Sequence, residues 1–192
     1  MHVAAITQAL VLKEIGKMEK MIRFSKVGYV LSKVIKMMAW IGCGLIVVSL
    51  GVFLLASNTR GLIYEGEGFS VYTPFVMSGY SLAQAIVATV ISATGLVFLG
   101  FVMLELERIL FGMKEGRTPF TIENVHYLRM ISLFMLLAMV VGELEETILT
   151  GILNCEVNEE TFGSILSVVI VYALSFVFEY GVKLQEQVDE TL

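Results

Sequence analysis

Residues Glu105–Arg129 read ELERILFGMKEGRTPFTIENVHYLR, and they lie between two long stretches that carry almost no charge. Gly68–Leu104, just before, contains no Asp, Glu, Lys or Arg. After Arg129, charge does not return until Glu143. Met37–Thr59 and Thr161–Phe178 are likewise uncharged. A run of about 18 or more apolar residues can cross a hydrocarbon core of about 30 Å as a helix. The charged stretch is therefore read as a connector between membrane-spanning helices.

Composition agrees. Of the 192 residues, 57% are hydrophobic, against about 45–50% in an ordinary soluble domain. Mean hydropathy is +0.83. The fold class expected is all-α: a polytopic membrane protein with four transmembrane helices plus an N-terminal amphipathic basic helix. The domain organisation expected is a basic segment over residues 1–36, then a four-helix domain over 37–192. The spans are placed at about 37–57, 80–104, 130–150 and 161–178.

The first 36 residues carry seven Lys or Arg. A secretory signal would have a short basic start followed at once by a short apolar core, so a cleavable signal is not expected. Val11, Ile15, Met18 and Ile22 recur at helical spacing. Lys13, Lys17 and Lys20 share another face. Such a helix suits an anionic bilayer surface, or it packs on the protein's own polar ends.

Within the spans, Trp40 stands where an interfacial aromatic would. Gly42, Gly44 and Gly51 permit close helix approach. Ala88, Ser92 and Gly95, widened by Ala85, Thr89 and Ala93, make a small-residue face. Its expected partner is a helix of the same chain, with a homo-oligomer contact as the alternative. The aromatic-rich segment Asn58–Gly79 is expected to fold back onto the outer surface. Ser164, Ser167, Ser175 and Glu179 are read as one interior face of the fourth span.

In the connector, Thr121 is placed to cap a helix, Glu123 to meet its positive end, and Phe120 to staple onto Val125. Lys and Arg counts orient the chain. The connector has four cations, the first outer loop only Arg60, and the second outer loop none. The positive-inside rule then puts both termini and the connector in the cytoplasm.

Two charge constellations follow. Glu105, Arg129 and Glu179 fall at span ends on the cytoplasmic side, and Arg129 is expected near Glu105, Glu179 or both. A carboxylate at that depth is costly unless paired or wetted. Outside, Glu143, Glu145 and Glu146 form an acidic cluster with Arg60 as the one available cation. Glu143, Glu146, Thr147 and Thr150 share a helical face. Readings of this cluster range from a solvated helix end to a cation site, a proton-coupled carboxylate or a basic-peptide site.

Much is excluded. A net charge of −5 argues against direct nucleic-acid binding. His2 and His126 are the only histidines, and neither lies mid-span, which counts against haem ligation and histidine proton relays. Cys43 and Cys155 fall at opposite ends of the spans and are not expected to pair. Phosphate-loop, dinucleotide, zinc-protease and nucleophile-elbow patterns are missing. No cofactor, no metal and no enzymatic activity are expected.

The connector residues Gly116, Thr118, Pro119, Phe120, Thr121, Glu123, Asn124, Leu128 and Arg129 resemble the connector of a membrane protein family, domain of unknown function 2975. The ending Phe178-Glu179-Tyr180-Gly181, Leu184-Gln185 and Asp189-Glu190-Thr191-Leu192 is similar to that family's carboxyl terminus. The resemblance covers roughly the last two thirds of the chain. It implies four spans in a bacterial inner membrane. Members tend to be encoded beside small helix-turn-helix regulators, so it also implies a membrane partner of such a regulator. The function expected is accordingly regulatory, with a cytoplasmic protein and the lipid bilayer as partners. The competing expectation is a small transporter, channel or immunity-type protein using the acidic and polar residues of the third and fourth spans.

Overall fold

A computed structural model describes the backbone of residues 2–55, 62–66, 69–72, 82–153 and 161–191, and the side chains of 16–55, 85–144, 147–148 and 165–191. Four helices carry the fold: α1 (His2–Leu55), α2 (Leu82–Lys114), α3 (Ile122–Leu153) and α4 (Thr161–Glu190). Each contains a segment long and apolar enough to cross a membrane. The chain is a multi-pass membrane protein whose candidate spans are all helical.

All four helices outrun the charge-free segments used to place them. α1 shows this most clearly. The backbone stays helical across the expected boundary between a basic segment to residue 36 and a span from 37, and the contact units divide there, between Ile35 and Lys36. The physical reason is local. Between Gly28 and Gly42 the sequence has neither Gly nor Pro, so a change in polarity occurs without a helix breaker. α2 continues to Lys114, α3 starts at Ile122, and α4 runs on through the polar tail to Glu190.

The segment between α1 and α2 holds a feature the sequence reading did not expect. Strands β1 (Leu62–Gly66) and β2 (Phe69–Tyr72) pair antiparallel, with Gly66 opposite Phe69 and an irregularity between Leu62 and Tyr64. Only Glu67 and Gly68 join them in sequence. A two-residue connection containing Gly suits a tight hairpin.

Contacts divide the chain into two compact units. The first gathers residues 1–35, 102–133 and 169–192: the start of α1, the connector with its flanking turns, and the end of α4. The second gathers residues 36–101 and 134–168.

In the second unit, small residues and rings make the contacts. Ala85 and Ala88 are buried against Leu50 and Phe53 of α1. The Ala85–Ala88 part of the small-residue face thus meets a helix of its own chain. A Cβ on Gly42 would lie 3.3 Å from Leu96, and one on Gly100 would lie 3.2 Å from the Trp40 ring. Trp40 also meets Phe101 edge-on at 6.2 Å, and Phe101 stacks on Phe134 at 5.2 Å. Gly44, Gly51 and Gly95 have open space where a side chain would stand.

Candidate docking face in the unit holding both termini

The connector is shaped by two consecutive caps. At the end of α2, Gly116 takes φ +80°. Its N–H donates to Met113 O at 3.1 Å, and Arg117 N–H donates to Gly112 O at 3.1 Å. These two bonds are the Schellman pattern, in which a left-handed residue just past the helix closes the last free carbonyls. Gly fits that position because an L side chain there crowds its own backbone. At the start of α3, Asn124 N–H donates to Thr121 Oγ1 at 3.2 Å, and Asn124 Nδ2 donates to Pro119 O at 2.8 Å. Thr121 is the expected N-cap, and Glu123 sits in the first turn. The Asn124 side chain thus ties the first turn back to Pro119, and Asn124 is buried.

Phe120 has neighbours on α4 that the sequence reading did not foresee. Its ring lies 5.4 Å from Phe178. It also covers Gly181 so closely that a Cβ there would come within 3.0 Å of it. Thr118 Oγ1 donates to Gln185 Oε1 at 3.4 Å. The connector is thereby seated on the end of α4. Two resemblance motifs, distant in sequence, thus meet through Phe120 and the Phe178–Gly181 turn.

The expected charge cluster forms in part. Arg129 donates to Glu179 Oε2 at 2.7 Å, and Lys183 donates to Glu179 Oε1 at 3.1 Å. Arg129 also lies 5.8 Å from the Phe176 ring centre. Glu105 does not join them. It is 7% exposed and receives two 2.9 Å bonds from Arg108, one turn along α2. A cation three residues away on the same helix is a nearer partner than one on another helix. Arg108 also stands 5.6 Å from the Tyr127 ring centre, a contact the sequence reading missed.

The basic end of α1 packs on the protein as well as facing outward. A Cβ on Gly28 would lie 3.1 Å from Leu110, and Tyr29 meets Phe111 at 5.9 Å. Lys114 Nζ sits 4.5 Å over the Tyr29 ring. Ile22 approaches Gly116 of the connector. Lys17 and Lys20 are exposed. The Lys13 side chain lies outside the described residues.

The outer acidic cluster is described only at Glu143, which is exposed and whose carbonyl accepts a bond from Thr147 Oγ1 at 2.8 Å. Arg60 and the side chains of Glu145, Glu146 and Thr150 lie outside the described residues, and with them the proposed Arg60 pairing. The interior face read on the fourth span needs correction. Ser175 is buried and donates to Tyr172 O at 2.6 Å, but Ser167 is exposed. Eight steps at 3.6 residues per turn leave Ser167 about 80° from Ser175. Ser164 lies outside the described side chains.

Among the described residues no group of His, Cys, Asp or Glu is placed to hold a metal ion. No family model, no curated protein and no solved structure matches the chain. The resemblance to domain of unknown function 2975 rests on the connector and tail residues alone.

Proposed function

We propose that the protein is a regulatory, non-enzymatic protein of a bacterial inner membrane, with both termini cytoplasmic, that docks a soluble partner on the unit built from the start of α1, the connector and the end of α4. The observation that carries this reading is the gathering of all three segments into one compact unit. These are the segments that the Lys and Arg distribution assigns to the cytoplasm. They bring together the exposed cations of α1, the twice-capped connector and the polar tail. By resemblance, the partner proposed is a small helix-turn-helix regulator.

The hydroxyl groups favour docking over a transport path. Ser25, Ser32, Ser49, Thr89, Thr94, Ser132 and Ser175 each donate to a carbonyl three or four residues earlier in their own helix. Hydroxyls satisfied this way are not offering their protons to a passing solute.

The test is a crosslinked pulldown from native membranes, using the full chain beside a variant with Lys13, Lys17 and Lys20 reversed to Glu. A soluble protein captured by the first and lost from the second is the expected result. Identical capture by both, with unchanged membrane fractionation, removes the reading.

A further inference from the structure

Two apolar stripes in the first unit are left uncovered among the described residues. On α1, Phe24, Val27, Leu31 and Val34 follow at steps of three, four and three, and all are exposed, Phe24 by 75%. On α4, Val177, Tyr180, Leu184 and Val188 follow at steps of three, four and four, and all are exposed, Tyr180 by 64%. Spacing of this kind makes a seam for another helix. Exposed apolar surface beside charged residues marks an interaction site more often than a solvated face.

The charges near the two stripes are opposite. α1 carries Lys17, Lys20, Arg23, Lys26 and Lys33 against the single acid Glu19 over residues 16–35. The last turns of α4 carry Glu186, Asp189 and Glu190 against Lys183. Arg23, Lys26, Glu186, Asp189 and Glu190 are exposed and make no salt bridge among the described residues. α1 begins in the unit where α4 ends. In two copies inserted the same way, α1 of one and α4 of the other therefore run antiparallel, and the basic start of α1 comes beside the acidic end of α4.

We infer that the protein self-associates by laying the Phe24–Val34 stripe of one copy against the Val177–Val188 stripe of another. Pairing α1 with a second α1 would set Lys20 and Arg23 beside their own copies, and pairing α4 with a second α4 would do the same to its acids. Like-charge juxtaposition disfavours both. The exchanged pairing covers both stripes at once, because each copy carries both and a two-fold arrangement makes the contact twice. This inference does not rest on the regulatory reading, since its test reverses Arg23 and Lys26 and leaves Lys13, Lys17 and Lys20 in place.

The test uses two differently tagged full-length chains, both with Cys43→Ser and Cys155→Ser, coexpressed and oxidised in native membranes. One carries Val27→Cys and the other Leu184→Cys. The expected product is a disulfide dimer carrying both tags, in excess over either same-tag dimer. Adding Arg23→Glu and Lys26→Glu to the first chain lowers its yield severalfold. Adding Glu186→Lys, Asp189→Lys and Glu190→Lys to the second restores it. Same-tag dimers alone, no dimer, or a mixed dimer indifferent to the charge reversal would overturn the inference.

Discussion

The two units of this protein are held by different chemistry. In the unit of residues 36–101 and 134–168, the described contacts are Ala85 and Ala88 under Leu50 and Phe53, Gly100 under Trp40, and stacked phenylalanines. In the other, packing such as Gly28 on Leu110 and Phe120 over Gly181 is joined by directed bonds: a Schellman turn, a Thr–Asn cap, an Arg108–Glu105 pair and an Arg129–Glu179–Lys183 group. The difference follows from the solvent each sequence is suited to. In lipid there is no hydrophobic gain in joining two apolar helices, so close fit and small residues decide packing. Near water, helix ends must have their backbone groups satisfied, and directed bonds become available to do it.

If that contrast is right, the two units break in different ways. The largest loss is expected from Arg108→Ala, which leaves the Glu105 carboxylate buried without its partner. We expect roughly 2–3 kcal/mol in detergent unfolding, at the low end for a broken buried pair because Arg108 is half exposed. Replacing both residues by Leu should recover most of that loss, since no orphaned charge remains.

In the other unit, volume is the sensitive quantity. Ala85 is fully buried, and Ala85→Leu should cost about 1–3 kcal/mol by overpacking. The same unfolding assay should show this loss unchanged between low and high salt.

Smaller effects should follow from the caps. Thr121→Ala is expected to cost about 1 kcal/mol, and Gly116→Ala about 1–2 kcal/mol for a side chain forced into the left-handed region. The smallest change is expected from Arg129→Ala, because Glu179 keeps Lys183. Its effect on the melting temperature should shrink further in high salt, where exposed charges are screened.

The sequence made the helices legible because charge-free runs leave few other folds available in lipid. It also placed the Thr121 cap, whose signal is local, and the Arg129–Glu179 pair, whose members end adjacent spans. The change in polarity at residue 36 falls where the contact units divide, while the helix continues through it. Arg129 was expected near Glu105, Glu179 or both, and it takes Glu179, while the Arg108 partner three residues from Glu105 was not foreseen. Phe120 was matched to Val125, and its cover over Gly181 on α4 was not foreseen. That contact depends on tertiary approach, which periodicity does not encode. The β1–β2 hairpin had a signal in the Gly-flanked pair Glu67–Gly68, masked by the weight of aromatic residues around it.

The central claim is that the start of α1, the connector and the end of α4 share the cytoplasmic side. Single cysteines at Lys20, Glu115 and Glu190, each in a chain with Cys43→Ser and Cys155→Ser, test it through a membrane-impermeant thiol reagent applied to intact cells and to inverted vesicles. The account predicts that all three label in inverted vesicles and none in intact cells. Labelling of any one of them in intact cells would contradict it.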